Sequence, residues 1–111
     1  MNPVEENVIP NSISINVPYA IVWEVRSKLH WFIGFPLHVE GNSCSIDYLH
    51  RVKKSNINWY YPAVQDLEIT DDDQFLPVDI IGEWDYSNED QYIFILKNED
   101  EIISCFEEYV K

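Results

Sequence analysis

Basic residues are scarce in this sequence. Its 111 residues hold seven Lys and Arg against 20 Asp and Glu, a formal net charge of −13. So acidic a chain repels phosphate backbones instead of releasing their counterions, which argues against direct nucleic-acid binding. An anionic membrane surface is disfavoured for the same reason. Glycine is scarcer still, at positions 34, 41 and 82. These positions build no phosphate loop, and neither a GxSxG nor an HExxH motif occurs. Cys44 and Cys105 match no metal-ligand spacing and read as two reduced, buried thiols, a disulfide being the alternative in an oxidising compartment. No apolar run approaches a bilayer span. Residues 1–6 lack the basic-then-apolar pattern of a signal peptide, so the chain is expected in the cytoplasm.

Apolar and aromatic residues are plentiful, at 46% and 14%. That suffices for one core in a single domain spanning residues 1–111, with residues 1–11 as an irregular lead-in. The charge is divided unevenly. Residues 1–60 carry five acids and five bases; residues 61–111 carry fifteen acids and two bases, hence the whole net charge. A solvated acidic face is the plain explanation of such a run. Here the acids are interleaved with Tyr60, Tyr61, Phe75, Trp84, Tyr86 and Tyr92. Aromatic anchors in a charged field suit a protein-binding surface. The expected face comprises Asp71, Asp72, Asp73, Glu83, Asp85, Glu89 and Asp90, with Trp84, Tyr86 or Tyr61 as anchors.

Periodicity predicts mostly strands. From Ile13 to Val25 the odd positions are apolar, and the alternation resumes from Leu29 to Val39. With Arg26-Ser27-Lys28 between them, the two runs read as a β-hairpin, interrupted at Pro18. A helix over residues 18–33 is the competing pattern. Cys44, Ile46, Tyr48 and Val52 suggest a third strand, and residues 57–61 a fourth. Residues 51–56 carry the main basic patch, and residues 67–69 are ambiguous. Asp71-Asp72-Asp73 lacks the spacing of an EF-hand and reads as an exposed loop. Residues 78–85 and 92–96 read as strands, the latter covered on both faces. The clearest helix follows Asn98 as cap, with Ile102, Ile103, Phe106, Tyr109 and Val110 on one stripe. The fold class is therefore α+β: a mostly antiparallel sheet with a C-terminal helix packed on one face.

Catalytic groupings are sparse. His30 and His38 share a strand face but stand eight residues apart, roughly 26 Å along an extended chain. His50 meets either of them only through the fold. Neither a catalytic residue, a metal site nor a cofactor is assigned.

The segment from Trp84-Asp85-Tyr86 through Tyr92-Ile93-Phe94-Ile95-Leu96 into Glu101-Ile102-Ile103 and Phe106-Glu107-Glu108-Tyr109-Val110 resembles the build of small bacterial immunity proteins. Its style is that of contact-dependent growth inhibition and related toxin systems. The resemblance covers residues 61–111 and lies in composition and arrangement, not in a specific motif. It implies a cytoplasmic, non-enzymatic inhibitor of a toxin domain, often a basic nuclease, that covers the active or substrate-docking surface. A phage-type acidic nucleic-acid mimic that blocks a host nuclease is the alternative. An enzyme built on the histidines is a third class.

Overall fold

The computed structural model describes residues 13–111, so the lead-in lies outside the described residues. Strands β1 (Tyr19–Val25) and β2 (Lys28–Glu40) form the expected hairpin, not the competing helix. Arg26 and Ser27 both take positive φ, as a type I′ turn requires. Strand pairing begins only at Tyr19; the expected extension back to Ile13 is instead irregular. There the Asn16 amide donates to the Pro36 carbonyl (3.0 Å).

Strand β3 (Ser43–Tyr48) pairs with β2, and β6 (Asp66–Asp71) pairs with β3. Residues 67–69, ambiguous by pattern, thus belong to a strand. The first sheet has the order β1-β2-β3-β6. The second contains β4 (His50–Arg51), β5 (Asn58–Tyr60), β8 (Ile93–Leu96) and β7 (Gly82–Asp85), in the order β4-β5-β8-β7. Every strand pairing among the described residues is antiparallel. Helix α1 spans Glu99–Tyr109. The architecture is α+β.

The predicted third strand is divided between the sheets. Leu49 is fully buried at the crossing, and its amide donates to Ile33 of β2 (2.9 Å). The main core lies between the sheets. Ala20, Val22, Trp31, Ile33 and Phe35 of the first sheet cluster with Trp59, Phe94 and Leu96 of the second. Ile102 of α1 is buried with them, and Ile103, Cys105 and Phe106 pack against the cluster. Burying a large apolar side chain contributes about 1.5–3 kcal/mol, so this cluster dominates stability.

The odd-position face of β1 was expected to be its sole buried face. Instead the even residues Ala20 and Val22 enter the main core, and Ile21 joins a second cluster with Cys44, Ile46 and Tyr48. Both faces of β1 are covered, while Val25 stays exposed. In β2 a register shift between Pro36 and His38 breaks the alternation. Leu37 is exposed as a result, and Val39 packs with the second cluster.

Three local expectations need correction. Asn98 precedes α1, but its side chain does not cap the helix. Its Oδ1 accepts from the Ile81 amide (2.9 Å), and its Nδ2 donates to the Asp79 carbonyl (2.7 Å). The strand expected over residues 78–85 is confined to Gly82–Asp85, because Asn98 engages the backbone before it. Asp71 ends β6, and Asp72–Gln74 form a 3-10 turn rather than an open loop.

Candidate functional site

The acidic half of the chain builds an open groove of about 590 Å³. Its wall is a run of aromatic rings. Tyr61 stacks on Trp84 (5.6 Å between centroids, 20° between planes), and Trp84 stacks on Tyr86 (6.4 Å, 23°). Tyr92 meets Tyr86 edge-on at 4.8 Å. Glu89 and Asp90 also line the groove. Aromatic contacts of this kind are worth about 0.5–1.5 kcal/mol beyond area burial, so the wall is preorganised.

The second sheet explains the placement. Trp84 stands opposite Phe94 in the β7–β8 pair. The two rings meet edge-on at 5.3 Å, and Phe35 of the first sheet stacks on Trp84 at 6.1 Å. Gly82 permits this packing: a Cβ there would lie 2.6 Å from the Phe94 ring. Trp84 is therefore half-buried, joined both to the main core and to the groove. Tyr86 is 61% exposed and carries the accessible end of the stack. The turn beyond it is held locally. The Ser87 amide donates to Asp85 (2.9 Å) and the Asp90 amide to Asn88 (3.0 Å). Those Ser87 contacts hold the exposed Asp85 carboxyl below its ordinary pKa.

Five of the expected binding residues thus converge: Tyr61, Trp84, Tyr86, Glu89 and Asp90. The other five do not line the groove. Glu83 and Asp85 flank Trp84 in an extended strand, so their side chains leave the opposite face. Glu83 pairs with Lys97 at 3.4 Å. Asp71 ends β6, and Asp72 and Asp73 sit in the turn after it, where the Tyr109 hydroxyl donates to the Asp73 carbonyl (3.3 Å). Adjacency in an acidic sequence does not place carboxylates on one surface.

Phe35 and Asn16, outside the expected face, also line the groove, as does Tyr92, one of the aromatics interleaved with the acids. Phe35 looks like any core residue of an alternating strand, and it is indeed 9% exposed. Tyr92 abuts an apolar run that masks its exposure. Beside them, Asp47 has a buried Oδ1 without a hydrogen-bond partner among the described residues. Burial foremost, and the Asp66 charge, raise its carboxyl pKa against the lowering contact of Gln65. Burial, then the Asp47 charge, push the Tyr61 hydroxyl up to about 12.

A second, smaller cleft of about 260 Å³ runs across one face of the first sheet, from β1 over β2 and β3 to β6. Trp23, Phe32 and Tyr48 supply its aromatic walls, and Glu24, Asp66 and Glu68 its carboxylates. Trp23 Nε1 donates to the Tyr48 hydroxyl (2.6 Å), which is 2.8 Å from Thr70 Oγ1. His50 Nε2 stands 2.8 Å from Asp66 Oδ2 at its edge. The histidines occupy separate places: His30 is opposite Trp23, His38 opposite Ser45 and His50 opposite Tyr60.

The expected basic patch is smaller than the sequence implies. Lys53 and Lys54 are exposed, but Arg51 turns inward between Trp31 and Trp59, 4.7 and 4.3 Å from their ring centroids. Cys44 is buried and Cys105 partly buried, and both are free thiols. Among the described residues no group of three or more His, Cys, Asp or Glu is placed to hold a metal. None of their helices is long and apolar enough to cross a membrane. Comparison with known proteins finds no family model, no curated protein and no solved structure that matches this chain.

Proposed function

We propose that this chain is an acidic, cytoplasmic immunity-type protein that binds a basic protein, a toxin domain such as a nuclease, and occludes its working surface. The observation that carries the reading is the stacked Tyr61–Trp84–Tyr86 wall with Glu89 and Asp90 lining the same groove. Flat aromatic surface supplies binding energy at low entropic cost, and carboxylates beside it select a cationic partner. The net charge of −13 speeds the encounter with such a partner.

Tyr86→Ala and Tyr92→Ala test the reading, because both side chains are exposed and their loss leaves the core intact. Against a partner recovered from the native host, at least one should weaken binding by about 2 kcal/mol, the hot-spot threshold. Unchanged affinity in both variants, with the fold retained, contradicts the reading. Trp84→Ala is a poorer test, since it also opens the core.

A further inference from the structure

The two edges of the first sheet are treated differently. At the β1 edge, Phe75 bridges Ile21, the Leu76 amide donates to Ala20, and Gln74 Nε2 donates to Val22. At the β6 edge no strand among the described residues pairs. Asp72 donates to the Asn42 carbonyl (2.9 Å), one step beyond the Ser43–Asp71 pair. Antiparallel ladders alternate, so the even residues of β6 direct their backbone groups toward β3. Leu67, Ile69 and Asp71 direct theirs outward. The Asp71 amide is taken by Gln74 Oε1 (3.0 Å). Leu67 and Ile69 are left at the open edge.

The side chains of this edge are sorted by face. Asp66 and Glu68 point into the cleft walled by Trp23 and Tyr48. Leu67 and Ile69 point the other way and are 48% and 66% exposed. Exposed edges are normally blunted, and exposed apolar side chains along one invite pairing. A second copy is a poor occupant, because antiparallel self-pairing would bring the acids of two β6 strands together.

We propose that the β6 edge receives an extended segment of the partner in which basic and apolar residues alternate. Leu67 and Ile69 supply the backbone hydrogen bonds. Basic side chains on one face of the added strand meet Asp66 and Glu68, with the Trp23 and Tyr48 rings beside them. Apolar side chains on its other face cover Leu67 and Ile69. This is strand addition with specificity read from alternate side chains. It rests on the reading that the partner is basic.

The test uses the whole chain and two labelled peptides of equal composition. One alternates lysine and valine; the other holds them in separate blocks. The alternating peptide should bind about tenfold more tightly and slow amide exchange at Leu67 and Ile69. Ile69→Pro removes an outward donor without touching the β3 ladder and should abolish the preference. Glu68→Lys, which leaves the backbone alone, should weaken binding likewise, and the same charge reversal at the exposed Glu107 of α1 should leave it unchanged. Equal binding of the two peptides, binding of neither, or unchanged exchange at those amides overturns the inference. So does sensitivity to Tyr86→Ala alone, which would seat the peptide in the groove. Self-association abolished by Ile69→Pro would make the occupant a second copy and overturn it too. The groove reading is judged separately, by the Tyr86 and Tyr92 variants against the partner.

Discussion

At the scale of single residues, chemistry and position part company most clearly at Arg51. In sequence it opens a basic run, Arg51-Val52-Lys53-Lys54. In the fold its Nη2 donates to the Trp31 carbonyl (2.7 Å) and its Nε to Asn56 (2.8 Å), between two indoles. Burial lowers its pKa to about 10, which leaves it charged at neutral pH. Arg51→Ala should cost about 2–4 kcal/mol in a denaturation experiment, from lost ring contacts and charge-assisted hydrogen bonds. Arg51→Lys keeps the charge but not the flat fork, and should recover less than half of that loss. A cost near zero for Arg51→Ala contradicts the stacked geometry. Asp47 provides a test of opposite sign. Its folded pKa is raised, so the ionised carboxyl opposes folding at neutral pH. That opposition is relieved as pH falls through the folded pKa and is absent below the unfolded value of about 3.9. Asp47→Asn should therefore raise Tm at pH 7, with the gain vanishing below that value. A gain independent of pH, or a loss at pH 7, contradicts the assignment. Neither residue's surroundings were readable beforehand, because each depends on partners distant in sequence.

At the scale of elements, the sequence was most legible where pattern and environment coincide. The β1–β2 hairpin and α1 stand where their periodicities put them, although the alternation did not tell which faces of β1 are buried. The division of the predicted third strand at Leu49 was not legible, since one alternating run serves two sheets. Asn98 has the chemistry of a cap, yet backbone groups of Asp79 and Ile81 compete for its amide and win. The apolar stripe of α1 predicts five buried residues, but Tyr109 and Val110 are 41% and 43% exposed. The helix outruns the core it packs against. Phe106 is only partly buried, so Phe106→Ala should cost about 1–3 kcal/mol, below the 3–5 usual for full burial. An equilibrium urea titration measures this, and a loss under ~0.5 kcal/mol would detach α1 from the sheets.

At the scale of the whole molecule, acidic and aromatic side chains meet in one groove while other acids lie elsewhere. Half of the expected binding residues meet in one groove, because β7 and the turn after it carry Trp84, Tyr86, Glu89 and Asp90 past Tyr61. The rest scatter, since Glu83 and Asp85 alternate with Trp84 and leave the other face of β7, and the three aspartates at and after the end of β6 belong to another region. The composition revealed the acidic, aromatic character; only the fold could choose which acids accompany the rings. The central claim is that this groove captures a basic protein. The most direct measurement is surface plasmon resonance against the purified partner across a salt series, with the wild type and a Glu89→Lys/Asp90→Lys variant. The account predicts that the reversal slows association and flattens its dependence on salt, as for charges that steer an encounter. An association rate and salt slope indistinguishable from wild type, in a folded variant, would contradict it.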